Sequence, residues 1–201
     1  MMKAAIEQFR ENIQRVKNLE ASHAYLEVNT ELDMSDILRA EVVLIVSALD
    51  TFIHDIVRLG MLKILKGERK QTPKYQNFSV KMKIINFDEK YSWFEEEIRR
   101  RHSQLSFQQA KDIREAIDHV SKKDILELVA NKIEKNKDEI IKSLNLIIKR
   151  RNQIAHESDI DPTTKYPNTR YPIDEQQTKE IITFIEEIVE TIYIVIEEND
   201  K

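Results

Sequence analysis

Helix-breaking residues are almost missing from this chain: two glycines and four prolines occur among 201 positions. These residues end or kink helices, so long stretches contain nothing to stop a helix once it has begun. Through those stretches apolar residues return at three- and four-residue steps. Ile181, Ile185, Ile188, Ile192 and Val195 form one such row, a stripe on a single helix face. No segment alternates apolar and polar residues between turn signals. Residues 193–196 have β propensity, but the longer helical period around them outweighs it. The pattern predicts an all-α protein, an antiparallel bundle of about six to eight helices forming one domain over 1–201.

The periods and punctuation place the helices at about 3–28, 36–66, 79–85, 91–101, 106–120, 121 or 124 to 133, 137–157 and 174–197. Asp36 and Ser106 read as N-caps, and Gly67 as a helix stop. Residues 68–77 read as a loop. So does 158–173, which carries Asp161-Pro162, Tyr166-Pro167-Asn168 and Tyr171-Pro172. A loop of that length is usually functional or mobile. The second long helix is apolar around its whole circumference at 42–46, so it belongs in the centre of the bundle.

Several function classes are excluded. The chain has no cysteine, so it has neither disulfides nor cysteine-based zinc sites. The formal net charge is −4, so any nucleic-acid contact must come from a local patch. The N-terminal residues run straight into an amphipathic pattern without the apolar core of a secretory signal. The longest apolar stretch, 42–49, is too short for a bilayer, which needs ~20 residues. A cytoplasmic protein without a membrane segment is expected. No histidine–carboxylate spacing suggests a metal, and no phosphate-binding or dinucleotide motif is present, so no cofactor is expected.

Two rows of polar residues interrupt the apolar faces. Arg151 falls on the stripe Ile140, Leu144, Ile147, Ile154, where a charge is costly unless it is paired or faces a cleft. Asn152 and His156 lie four apart and share a face. In the central helix, Arg39, Val43, Ser47, Asp50 and His54 form a second row. Asp50 with Ser47 is expected to form a buried network that meets Arg151 or Asn152 across the bundle. His54 reads as a core or interface residue; His23, His102 and His119 read as surface residues. Basic runs occur at 99–102 and 149–151. Charge runs are usually solvated faces, though Arg150, through its position, is the better candidate for a nucleic-acid contact. In the long loop, Arg170, Tyr166 and Tyr171 could contact unpaired bases, or the loop could simply cover the end of the bundle.

The motif Arg151-Asn152-x-x-Ala155-His156 resembles the Arg–x4–6–His signature of the HEPN superfamily. Ile37-Leu38-Arg39-Ala40, Ser47-Ala48-Leu49-Asp50 with Ile53-His54-Asp55, Asp159-x-Asp161-Pro162 and Arg170-x-Pro172-Ile173 are similar to the RiboL-PSP-HEPN family. That resemblance implies a helical bundle that dimerises with two motifs facing each other. It also implies metal-independent endoribonuclease activity, often in toxin–antitoxin or antiphage systems with a partner protein. On that reading Arg151, His156 and Asn152 are the catalytic set, with Asp50 and Ser47 supporting them and Arg150, Arg170 and Tyr171 binding RNA. The residue types suit the chemistry: a histidine moves protons near neutral pH, and a guanidinium presents a planar fork to phosphate oxygens. Two rivals stand beside it: a non-catalytic HEPN module holding a protein or nucleotide, and an antitoxin-like regulatory protein.

Overall fold

The computed structural model describes residues 2–85 and 90–198. Along them run α1 (Lys3–Asn29), α2 (Ser35–Leu65), α3 (Pro73–Gln76), α4 (Ser92–His102), α5 (Ala110–Ile117), α6 (Ile125–Lys132), α7 (Lys137–His156) and α8 (Glu175–Glu198). A 3-10 turn sits at Met82–Ile84. Among the described residues there is no strand; one isolated antiparallel bridge joins Ile160 to Arg170. No described helix is long and apolar enough to cross a membrane.

α2 is the axis of the bundle and packs against α1, α4, α5, α7 and α8. Val42, Ile45, Val46, Leu49, Ile53 and Ile56 on it are sealed from solvent, each contributing roughly 1.5–3 kcal/mol relative to exposure. Gly60 lets α2 approach the chain just after α5. A Cβ there would stand 2.7 Å from Cγ1 of Val120. Gly67 ends the helix in the left-handed region at φ 76°, and its N–H bonds to the Ile64 carbonyl. α1 lies along α2 and α8, held at its surface by Arg10–Glu190 and Lys17–Glu186 pairs.

Side-chain caps set the starts of α3, α6, α7 and α8, whereas α2 begins at Ser35 without the expected cap from Asp36. Asp124, and not Ser121, starts α6 by accepting from the N–H groups of Leu126 and Glu127. Asn136 does the same for α7, and Asp174 accepts from Gln177 at the start of α8. Thr72 caps a single turn opened by Pro73, so the expected loop at 68–77 contains a short helix. The expected helix from Ser106 begins only at Ala110. The reason is tertiary: Asp50 on α2 accepts from the Phe107 N–H at 2.6 Å and the Gln108 amide at 3.2 Å. That bond holds 106–109 as a strap across α2. The expected helix at 79–85 is reduced to the 3-10 turn.

Three histidines read as surface residues lie inside. His23 is 4% exposed and His102 8%, and His119 is half-buried. The basic run on α4 is partly structural: Arg100 and Arg101 both grip buried Glu97, and Arg99 pairs with Glu95.

Candidate active site

The motif occupies the last two turns of α7. Its N-terminal part is anchored because Ile140, Leu144, Ile147 and Ile148 are buried. The helix then runs out of the core: Arg151, Asn152 and Ile154 are half-buried, and Ala155 and His156 are exposed. The stripe that carries Arg151 therefore changes from core to cleft at Arg151 itself.

What stops the helix also shapes the site. The Glu157 and Asp159 N–H groups both bond to the Gln153 carbonyl, at 3.1 and 2.9 Å. Ser158 and Asp159 both take left-handed backbone, φ 53° and 59°, a region that glycine favours and that costs most other residues. Asp159 is held there by its side chain, which is 1% exposed. Its carboxylate accepts from Arg39 Nε at 2.7 Å and from both terminal nitrogens of Arg150. Arg39 also donates to Ser35 Oγ at 2.7 Å and to the Tyr171 carbonyl at 3.0 Å. Arg150 reaches the Pro172 carbonyl and lies over the Tyr171 ring. The Tyr171 N–H returns to the Asp159 carbonyl at 2.9 Å. One buried carboxylate between two guanidinium groups thus pins the loop 157–173 to α2 and α7. A buried ion cluster of this kind is tolerated because every charge is paired and hydrogen-bonded.

Two adjacent arginines consequently have different roles. Arg150 is committed to Asp159. Arg151 makes one side-chain hydrogen bond, Nη1 to the Asn152 Oδ1 at 3.1 Å, and its Nε is buried without a hydrogen-bond partner. A guanidinium has five donors, and a buried unused one is costly unless a ligand takes it. Asn152 also lines a polar pocket with Gln109, Asn145, Lys149, Gln153 and Glu157.

The remaining candidates separate. Asp50 does not meet Arg151 or Asn152; its hydrogen bonds go to the 106–109 strap, with His54 3.6 Å away. The strap touches both sides: Phe107 and Gln108 bond to Asp50, and Gln109 lines the Asn152 pocket. Ser47 is exposed, not part of a buried network. Arg170 pairs with Asp36, and Tyr171 is half-buried with its backbone bonded to Asp159 and Arg39. Tyr166 is 78% exposed at the loop tip. The Arg39–Asp159–Arg150 cluster went unread in the sequence. Arg39 and Asp159 were visible as a polar residue on an apolar helix and an aspartate after the motif, but nothing in their spacing links them.

An open groove borders the motif. Ala40, Val43 and Leu44 of α2 and Ile154 and Ala155 of α7 line it. Leu44 is 44% exposed. The exposed face continues along α2 through Ser47 and Thr51. Arg39 and Asp159 form part of its wall.

No curated protein and no solved structure matches this chain significantly. The model of the RiboL-PSP-HEPN family matches residues 10–198, from the first helix through the last, and the chain belongs to that HEPN family.

Proposed function

We propose that this HEPN protein is a metal-independent endoribonuclease that works as a homodimer, with Arg151, Asn152 and His156 as its catalytic set. The observation that carries this reading is the contrast between the two arginines of α7. Arg150 is saturated by Asp159, whereas Arg151 beside it keeps unpaired donors where the helix emerges from the core. His156 stands exposed one turn further on.

The reaction is transesterification. The 2′-oxygen of a ribose forms a bond to the adjacent phosphorus, and the bond from phosphorus to the 5′-oxygen breaks. The products are a 2′,3′-cyclic phosphate and a 5′-hydroxyl. One imidazole takes the 2′-hydroxyl proton, and the leaving oxygen needs a proton in return. His156 of each subunit supplies one of these steps when the two motifs face each other. Arg151 holds the phosphate oxygens as negative charge develops, and Asn152 holds Arg151 in place. The small and apolar face of Ala40, Val43, Leu44, Ile154 and Ala155 is the surface through which two copies would bring their motifs together. A cytoplasmic enzyme of this kind fits a toxin or an antiphage effector, restrained by a partner protein until needed.

The test uses purified protein and RNA in EDTA. Cleavage leaving cyclic phosphate ends is expected, and His156→Ala and Arg151→Ala should each reduce it at least 100-fold while the fold and dimer persist. Equal cleavage by the variants would reject the site. Expression of the wild type should arrest a bacterial host, and His156→Ala should not. The second reading, a non-catalytic module, draws on the same open apolar groove. It predicts an inert protein whose groove variants, such as Leu44→Asp, lose a protein partner instead of RNA cleavage.

A further inference from the structure

On α1, α2 and the start of α8 an unusual set of charges meets. Glu41 on α2 is 0% exposed, and neither carboxylate oxygen has a hydrogen-bond partner. His23 on α1 is 4% exposed, and its Nδ1 is buried without a hydrogen bond, 4.0 Å from Glu27 Oε2. Glu175, the first residue of α8, completes a group with His23 and Glu27 whose potential ligand atoms all lie within 4.8 Å of one another. Glu20 and Glu175 act electrostatically on Glu41, so the buried carboxylate and the group share one field. Glu20, His23 and Glu27 recur at three- and four-residue steps and occupy one face of α1.

Among the described residues this set lacks a counter-charge. Between Lys17 and Arg39 there is no lysine or arginine. Lys17 is held by Glu186, and Arg39 by Asp159 on another side of α2. Among the described residues, no basic side chain other than His23 pairs with Glu20, Glu27, Glu41 or Glu175. Unpaired carboxylates inside a protein are tolerated when a cation binds or when they take up a proton. An imidazole nitrogen beside carboxylates is the donor set that first-row divalent transition cations take, zinc and manganese among them.

We propose that His23, Glu27 and Glu175 bind one divalent transition cation, with the buried Glu41 carboxylate adding to the negative field they set up. Bonds of about 2.1 Å at tetrahedral angles put ligand atoms roughly 3.4 Å apart. Glu27 and Glu175 are exposed, so rotamer changes close the remaining distance without moving a helix. The site joins the end of α1 to the start of α8, just beyond the loop held by Asp159. It is structural, and it shares no residue with the Arg151–Asn152–His156 motif. Because Glu175 arrives from the far end of the chain, no ligand spacing announces it in the sequence.

The full chain, stripped with chelator and exchanged into chelator-free buffer, is titrated with zinc chloride and with manganese chloride by calorimetry and by thermal melting. One equivalent of at least one of these ions should bind. At a free concentration 100-fold above its Kd, the Tm should rise by roughly 5–10 °C. Glu27→Gln and Glu175→Gln, both at exposed positions, should each weaken binding at least ten-fold while the circular dichroism stays unchanged. Glu41→Gln, which keeps the shape and removes the charge, should weaken it as well. His156→Ala should bind as the wild type does, which separates this site from the motif. No stoichiometric binding of either ion overturns the proposal, as does binding unaffected by Glu27→Gln and Glu175→Gln or lost in His156→Ala. RNA cleavage in EDTA bears on the nuclease reading alone, so either reading can fail without the other.

Discussion

Arg39 and Asp159 lie 120 positions apart in the chain and 2.7 Å apart in the fold, guanidinium Nε on carboxylate Oδ2. Arg150 completes the cluster from the other side. Removing the charge from Asp159 leaves Arg150 without a counter-ion and Arg39 with only the exposed Asp36 carboxylate at 3.6 Å. Breaking such a pair from one side typically costs about 3–5 kcal/mol. Asp159→Asn keeps one acceptor oxygen, so a loss of about 3 kcal/mol is expected in urea unfolding. The Tyr171 N–H, bonded to the Asp159 carbonyl, should lose its protection from hydrogen exchange at the same time. A loss below 1 kcal/mol would mean that the loop is held by something other than this cluster.

The turn beneath that cluster makes a separate prediction. Ser158 and Asp159 both occupy left-handed backbone, which costs an L-residue roughly 1–2 kcal/mol. Glycine removes that cost but adds about 0.4–1 kcal/mol through the unfolded chain. Ser158→Gly should therefore be neutral or slightly stabilising in thermal unfolding. Asp159→Gly enjoys the same relief and still loses the carboxylate, so it should be at least 2 kcal/mol less stable than Ser158→Gly. Equal stabilities would show that the Asp159 side chain contributes nothing to the turn.

Gly60 tests the packing of the axis helix. Its missing Cβ would stand 2.7 Å from the Val120 side chain, and Val120 is itself 1% exposed. Gly60→Ala gains helix propensity of about 1 kcal/mol and incurs an overpacking cost of about 1–3 kcal/mol. The expected result is a net loss of up to about 2 kcal/mol. Val120→Ala in the same chain should recover part of it, so the double-mutant cycle should show a favourable coupling. Additive losses would mean that the two positions do not touch.

What could be read before the fold was known divides along a physical line. Helix positions were legible because they depend on local periodicity and on nearby caps: Gly67, Asp124 and Asp174 act within a few residues of the ends they define. The placement of α2 at the centre was legible from its apolar circumference. Local reading missed the short turn capped by Thr72, but its larger failures come where a distant partner intervenes. Ser106 looks like a cap, yet Asp50 of α2 takes the Phe107 N–H and delays the helix to Ala110. His23 and His102 look like solvated residues in polar stretches, and only packing between helices buries them. For the site, Arg151, Asn152 and His156 fall within six consecutive positions, so the motif was visible. The pairing of Arg39 with Asp159, which decides that Arg150 is occupied while Arg151 retains unused donors, is a tertiary fact.

Acid should unfold the protein in part through His102. Burial holds its pKa down at about 4, assisted by His54, His119 and Arg58. The unfolded imidazole titrates near 6.5. Between those values the unfolded chain binds a proton that the folded one refuses, so stability falls as pH drops from about 6.5 to 4, by at most about 3 kcal/mol. Glu97 acts lower down. Its hydrogen bonds from Arg100, and then Arg101, hold it at about 2. Its contribution is full above its unfolded value near 4.3 and is lost as pH falls from there toward 2. Glu41 works in the opposite sense: burial, then Glu20 and Glu175, raise it to about 7. Its protonation favours the folded state as pH falls, so wild-type stability alone mixes the three. The difference between wild type and His102→Gln isolates the histidine. Across pH 6.5 to 4 the wild type should lose stability faster than the variant, and below pH 4 the two should run parallel. Parallel curves throughout would place His102 in contact with water.

Asp50 is linked to the Asn152 pocket only through the 106–109 strap, and a pair of variants separates a supporting role from chemistry. Its carboxylate accepts from Phe107 N–H and Gln108 Nε2, and the next residue, Gln109, borders the pocket of Asn152. Asp50→Asn keeps an acceptor for the Phe107 N–H, whereas Asp50→Ala keeps none and leaves that group without its partner, at a cost of about 1–3 kcal/mol. Asp50→Ala should therefore lower stability by that amount and shift the Asn152 side-chain amide resonances. Asp50→Asn should do each of these less. If RNA cleavage is present, it should fall in proportion to the disturbance at Asn152 and stay well above that of His156→Ala. A proton-transfer role for Asp50 would instead make Asp50→Asn as inactive as His156→Ala while leaving the Asn152 resonances in place.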